Sequence, residues 1–116
     1  MNKPQAVNYR SGCPIARTLD VMGDKWTLVI MREALFFEAR TFADFSRMLE
    51  KVPGNLLSDR LKKRVELELL KKVACQQHPE RFKYVPTKRA DELKPVLKAM
   101  RKFGENHLGG QVKRKK

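Results

Sequence analysis

The sequence predicts a mainly α-helical domain carrying one small antiparallel β-hairpin, and three observations predict it. Two short amphipathic helical patterns meet at a Val52-Pro53-Gly54 break inside TFADFSRMLEKVPGNLLSDRLKKRVELELL, residues 41–70. Two stretches that read as strands follow at once. Helical stripes of apolar residues lie before and after that block. At 116 residues the chain is expected to build a single core, marginal enough for a second copy to add much of the stability. The expected organisation is a flexible arm over residues 1–12, one domain over 13–108, and a basic disordered tail over 109–116, where QVKRKK follows Gly109-Gly110.

Ile15, Leu19 and Met22 fall at helical spacing, and Pro14 suits a first helical turn, so Pro14 to Met22 is the first helix. Gly23-Asp24 interrupts it. Lys25 to Phe36 then carries Trp26, Leu28, Val29, Ile30, Met31, Leu35 and Phe36 on nearly every side, the mark of a helix in the middle of a core, with Trp26 as packing.

In the central block, Phe42, Phe45, Met48 and Leu49 share one face, and Leu57 and Leu61 begin the apolar stripe of the second segment. Pro53 and Gly54 end the first helix, and Asn55 is expected to cap the second through its side-chain oxygen. This is a helix-turn-helix pattern. Leu69 to Gln77 and the alternation of Phe82, Tyr84 and Val85 with Arg81 and Lys83 read as a hairpin around the polar loop Gln77–Arg81. A helix-turn-helix followed by a hairpin is the winged-helix order. The second strand should stop at Val85, because Pro86 has no N–H for the ladder.

Thr87 is expected to cap a long last helix in which Ala90, Leu93, Val96, Leu97, Met100, Phe103, Gly104 and His107 keep to one stripe, with Pro95 sharpening its start or bending it. A helix of ~20 residues spans ~30 Å, too long for one small core, so part of the stripe is expected to face a second subunit.

The 26 Lys+Arg against 13 Asp+Glu leave a formal charge of +13, which points to a polyanionic partner. No apolar run approaches the ~20 residues of a membrane span, and the polar start MNKPQAVNYR has no apolar signal core, so a cytoplasmic protein without a membrane partner is expected. Cys13 and Cys75 are too few for a disulfide framework or a zinc site, and His78 and His107 stand apart from one another. With no phosphate loop, nucleophile elbow or His-carboxylate spacing, the chain reads as a binder. It is not expected to be an enzyme or to need a cofactor or metal.

The solvent face of the second helix of the pair holds Asn55, Asp59, Lys62, Lys63 and Glu66, flanked by Ser58 and Arg60. On double-stranded DNA this assigns base-edge readout to Asn55, Ser58, Asp59 and Lys62, and phosphate or minor-groove contact to Arg60, Lys63, Arg81 and Lys83. Asp59 alternatively satisfies Lys62 or Lys63 within its own helix. The rival function is RNA-binding or nonspecific nucleic-acid binding. An RNA reader would expose stacking aromatics on a sheet, where this chain offers only Phe82 and Tyr84. Cys75 is expected to be a core thiol.

Cys13-Pro14, Gly23-Asp24-Lys25-Trp26, Asn55-Leu56-Leu57-Ser58-Asp59-Arg60-Leu61, and Tyr84 with Thr87 together resemble the HxlR-type transcriptional regulators. These are bacterial and archaeal winged helix-turn-helix proteins related to the MarR family, and the resemblance covers about residues 13–108. It implies a cytoplasmic, nucleoid-associated homodimer joined through its first and last helices and bound to a near-palindromic operator. Ile15, Leu19, Leu93, Val96, Leu97, Met100 and Phe103 would form the interface. In some members the cysteine matching Cys13 senses electrophiles or oxidants. Here Cys13 lies at a helix start near Arg10 and Arg17, the electropositive setting in which reactive thiols are found; the alternative is a small inert residue before Pro14. A small-molecule effector is left unspecified. The chain departs from the family at Arg64, usually hydrophobic, at Glu68, usually the glycine ending the recognition helix, and at Val85-Pro86-Thr87. Arg64 is expected either to pair with Glu68 or to extend its head to solvent.

Overall fold

The computed structural model describes residues 8–77 and 80–110. Their order is α1 (Pro14–Met22), α2 (Thr27–Phe36), α3 (Phe42–Ser46), α4 (Gly54–Glu66), β1 (Leu70–Gln77), β2 (Glu80–Pro86), α5 (Lys88–Asp91) and α6 (Lys94–His107). The fold is mainly helical with a two-stranded antiparallel hairpin, a winged helix-turn-helix. Residues 1–7 of the expected arm, His78 and Pro79 of the wing loop, and 111–116 of the expected tail lie outside the described residues.

Ile30, Met31 and Ala34 of α2 meet Phe45, Met48, Leu57, Leu61, Leu70, Ala90 and Leu93 in one core, with Trp26 packed against its edge. The central position expected for the second helix is observed. It starts at Thr27 rather than Lys25, because the Asp24 carboxylate accepts the Trp26 N–H and holds a turn there.

α3 is shorter than the sequence pattern. Thr41 and Asp44 form a reciprocal capping box at its start. The helix ends at Ser46, and Lys51, at φ +56°, turns the chain before Pro53. With the helical phase lost, Phe45 and Met48 are buried, but Leu49 points outward at 64% exposure and Phe42 is exposed as well.

Asn55 does not cap α4. Pro53 is the N-cap residue, its carbonyl accepts the Leu57 N–H at 2.9 Å, and Asn55 lies in the first turn with its side chain in solvent. The far end of α4 is a Schellman motif. Leu69 N–H donates to Arg64 O at 2.9 Å and Glu68 N–H to Val65 O at 3.0 Å, with Glu68 in the left-handed region at φ +64°. Glu68 therefore takes the backbone conformation for which a glycine is the usual residue.

Arg64 neither pairs with Glu68 nor reaches solvent: it is 3% exposed, between α4 and α2. Glu68 instead lies 3.6 Å from Arg89 on the surface.

The hairpin is anchored by Tyr84, whose N–H donates to Arg40 O at 2.7 Å while its ring meets Phe45 edge-on, centroids 6.4 Å apart. β2 runs one residue further than expected, to Pro86 paired with Leu70, because a terminal position on an edge strand tolerates a missing N–H. Cys75 is exposed rather than in the core, at the irregularity between Ala74 and Gln76, on a hairpin that has no further strand beside it among the described residues.

Thr87 does cap a helix, accepting the Ala90 N–H, but that helix is only Lys88–Asp91. Glu92 and Leu93 turn the chain, and Pro95 stands in the first turn of α6, where its missing N–H costs nothing. The stripe expected on one helix is thereby divided. Ala90 and Leu93 go into the chain's own core, Leu97 leans on it, and Val96, Met100 and Phe103 are exposed.

Candidate nucleic-acid interface

Apolar residues of α4 decide which way its polar face points. Leu57, Leu61 and Arg64 are buried, so Asn55, Ser58, Lys62, Lys63 and Glu66 are turned to solvent. Arg81 and Lys83 are exposed on the wing, as is Lys72, whose ammonium sits 4.3 Å from the centre of the Phe82 ring. Of the eight nucleic-acid contacts expected from the sequence, six are thus open cationic or neutral polar groups.

Asp59 and Arg60 are different. Arg60 Nη1 donates to Asp59 Oδ2 at 2.6 Å and Arg60 Nε to Asp24 Oδ2 at 2.8 Å, leaving the arginine side chain 20% exposed. Lys63 lies 3.7 Å from the same Asp59 oxygen. In this state Arg60 is engaged within the chain rather than open to a phosphate.

Asp24 is the centre of this arrangement. It accepts from the Thr27 hydroxyl, the Trp26 N–H and Arg60, and the Thr27 oxygen in turn accepts from Arg64 Nη1 at 2.5 Å. Partial burial works to raise the Asp24 carboxyl, but the hydrogen bonds from Thr27 and Arg60, with the Trp26 N–H and the arginine charge, hold it below the ordinary carboxylate range. The bond to Asp24 is the main cause that raises Arg60. Burial lowers Arg64. Asp24 and Arg60 each lie in a motif singled out from the sequence, but nothing in those motifs shows that they meet; the cluster of Asp24, Thr27, Arg60 and Arg64 is readable only after α2 and α4 cross.

The other candidate residues lie away from α4. Cys13 is exposed as the N-cap residue of α1, but Arg10 beside it in sequence is bound to Asp20 at 2.6 Å, and Arg17 donates to Ser11 O and lies over the Tyr9 ring. Ile15 and Leu19 project from α1 at 72% and 52% exposure. Leu93, by contrast, is 8% exposed and occupied within its own core. Between α2 and α6 runs a groove of about 560 Å³, lined by Val29, Phe36, Phe37, Leu97 and Met100 among others. Among the described residues no cluster of His, Cys, Asp and Glu could hold a metal ion, and no helix is long and apolar enough to cross a membrane.

Residues 21–112 match the family model of the HxlR-like helix-turn-helix. The chain is 36% identical over 97 residues to the uncharacterized HTH-type transcriptional regulator MT3179 of Mycobacterium tuberculosis, covering 84% of this chain and 60% of that protein. It therefore spans less than two thirds of the length of that relative. Among solved structures, PA1607, a candidate transcription factor, superposes with a TM-score of 0.77 at 31% identity, over 92% of this chain and 73% of that one. The redox regulator HypR in its reduced form shares the fold, with a TM-score of 0.72 at 23% identity over 81% and 92% of the two chains.

Proposed function

The chain belongs to the HxlR-like helix-turn-helix family, and on that premise we propose that it is a sequence-specific, DNA-binding transcriptional regulator that works as a homodimer on a near-palindromic operator. The observation that carries this reading is the exposed face of α4. On a helix packed by Leu57 and Leu61, the solvent side presents Asn55, Ser58, Lys62 and Lys63, beside a wing bearing Arg81 and Lys83, in a chain of formal charge +13. In this docking geometry Asn55, Ser58 and Lys62 address base edges, whereas Lys63, Arg81 and Lys83 address phosphates. Asp59 joins the first group through the oxygen that Arg60 does not bind, as an acceptor suited to a cytosine amine.

Homodimerisation is supported by the exposed apolar residues Ile15 and Leu19 on α1 and Val96, Met100 and Phe103 on α6. Side chains of this size left in water on a small domain mark an interaction surface. Cys13, exposed at the start of α1, is placed where modification of its thiol would disturb that surface, which makes it the candidate sensor. Cys13→Ser is expected to abolish any diamide-induced loss of DNA binding while Cys75→Ser leaves it intact; equal sensitivity in the Cys13 variant removes the sensor.

The reading as a whole is tested by selecting bound duplexes from a randomised pool at ~150 mM salt, where purely electrostatic retention is weakened. Enrichment of a two-part near-palindrome is the expected result. Retention of DNA without enrichment would leave a nonspecific binder, and preferential retention of RNA would favour the rival reading.

A further inference from the structure

We propose that Asp24 is a positioning residue for the DNA-reading helix: it holds Arg60 off the phosphate backbone and, through Arg60, fixes the Asp59 carboxylate on the reading side of α4. The inference rests on the DNA-binding reading above and goes beyond it in naming a residue outside the helix-turn-helix that governs what α4 presents.

Asp24 belongs to the corner between α1 and α2, 36 residues before Arg60. Its two carboxylate oxygens do separate work. One accepts the Thr27 hydroxyl; the other accepts the Trp26 N–H at 3.2 Å and Arg60 Nε at 2.8 Å. Arg60 then uses a second donor, Nη1, on Asp59 Oδ2 at 2.6 Å. A guanidinium is a planar fork of fixed donors, so satisfying one edge on Asp24 sets where the other edge points. Asp59 is thereby placed by a residue of another element, not only by its own rotamer.

The same geometry removes Arg60 from the set of open cations. Its side chain is 20% exposed and faces two carboxylates, whereas that of Lys63 is 54% exposed and its nearest carboxylate oxygen is 3.7 Å away. A phosphate would have to displace two charge-assisted hydrogen bonds to capture Arg60, each stronger than a neutral one. Asp24 also serves the buried Arg64 behind, through the Thr27 hydroxyl, and its negative charge offsets that cation. One carboxylate thus anchors two arginines of α4 to the start of α2.

The test uses the full chain as wild type, Asp24→Asn and Arg60→Gln. Binding to a random-sequence duplex and to the selected operator is measured over a salt series. Asp24→Asn frees Arg60 for phosphate, so the salt slope steepens by about 0.9 per protomer, and the operator-to-random affinity ratio falls about tenfold. Arg60→Gln leaves the slope at its wild-type value. A slope flattened by about 0.9 per protomer in Arg60→Gln would put Arg60 on a phosphate and overturn the proposal. So would an unchanged slope in Asp24→Asn with both affinities reduced by a common factor, the signature of a merely structural carboxylate. A DNA-free arm follows the Asp24 carboxyl carbon by NMR titration; its midpoint rises in Arg60→Gln, and an unmoved midpoint also overturns the proposal. Since neither the random duplex nor the titration requires an operator, failure to select one would count against the sequence-specific reading and not against the role of Asp24.

Discussion

Arg64 on α4 donates from Nη1 to the Thr27 hydroxyl on α2 at 2.5 Å, and it does so as a 97% buried cation whose Nε–H has no partner among the described residues. The bond ties α4 to the central helix α2 at a buried position beside Leu57 and Leu61. A buried cation with incomplete hydrogen bonding pays a desolvation penalty that one hydroxyl does not return. Arg64→Met is therefore expected to stabilise the fold by about 1–2 kcal/mol, and Thr27→Val, which strands the guanidinium, to destabilise it by about 3 kcal/mol. Urea unfolding of both variants checks the pair; destabilisation by Arg64→Met would show that the Thr27 bond outweighs the burial.

Glu68 sits at φ +64°, where an L side chain is strained and glycine is not. Its surface neighbour Arg89, at 3.6 Å, contributes little in solvent. Glu68→Gly should raise stability by about 1 kcal/mol, the relief of left-handed strain less the entropy glycine adds to the unfolded chain. Thermal unfolding reads this directly, and Glu68→Val should move the midpoint the opposite way.

Acid sensitivity follows from two hydrogen-bonded carboxylates, Asp44 in the capping box of α3 and Asp24 at the corner before α2. Asp44 is held below its ordinary range first by the Arg40 N–H, against opposing burial, and by the Thr41 N–H and hydroxyl; Asp24 is lowered as described above. A depressed folded value means that the unfolded chain binds more protons in that window, so the stability is present above about pH 4 and is lost as pH falls through the folded values. Urea midpoints should be level from pH 7 to 5 and drop below pH 4. Asp44→Asn should shrink that drop while lowering the neutral-pH midpoint.

Lys62 and Lys83 are both exposed cations, one on α4 and one on the wing. Lys62→Ala is expected to relax discrimination at one base pair of each half-site by about 1–3 kcal/mol, whereas Lys83→Ala weakens operator and random DNA alike and reduces the salt slope by about 1 per protomer. Competition binding with single-base operator variants separates the two. Equal losses on operator and random DNA in both mutants would show that α4 is not the reader.

Phe103 is 59% exposed on α6, beside exposed Met100. If these residues face a second copy, Phe103→Asp buries an unpaired charge there and should shift sedimentation from dimer to monomer at micromolar concentration. A variant that stays at the wild-type mass would place the interface elsewhere.

Residues with a regular apolar period announced their elements. Ile30, Met31, Leu57 and Leu61 behave as the spacing required, and the alternation of Phe82, Tyr84 and Val85 with Arg81 and Lys83 became the wing. Spacing alone misread the places where a short helix loses its phase. Leu49 matched the stripe but follows the end of α3, and the long last helix is broken at Glu92 and Leu93 because Pro95 starts a new first turn.

The local order of helix, turn, helix and hairpin, the basic balance and the exposed cations of α4 and the wing were determined by the sequence itself, since periodicity and charge are properties of neighbouring residues. Only the tertiary structure decided that Arg60 is engaged while Lys62 is open, that Arg64 is buried on Thr27, and that Glu68 occupies a glycine's conformation. Those outcomes depend on where α2 crosses α4 and how Leu67 hands the chain to β1. A hydrogen bond between residues 36 or 37 positions apart has no local signature in the chain that makes it.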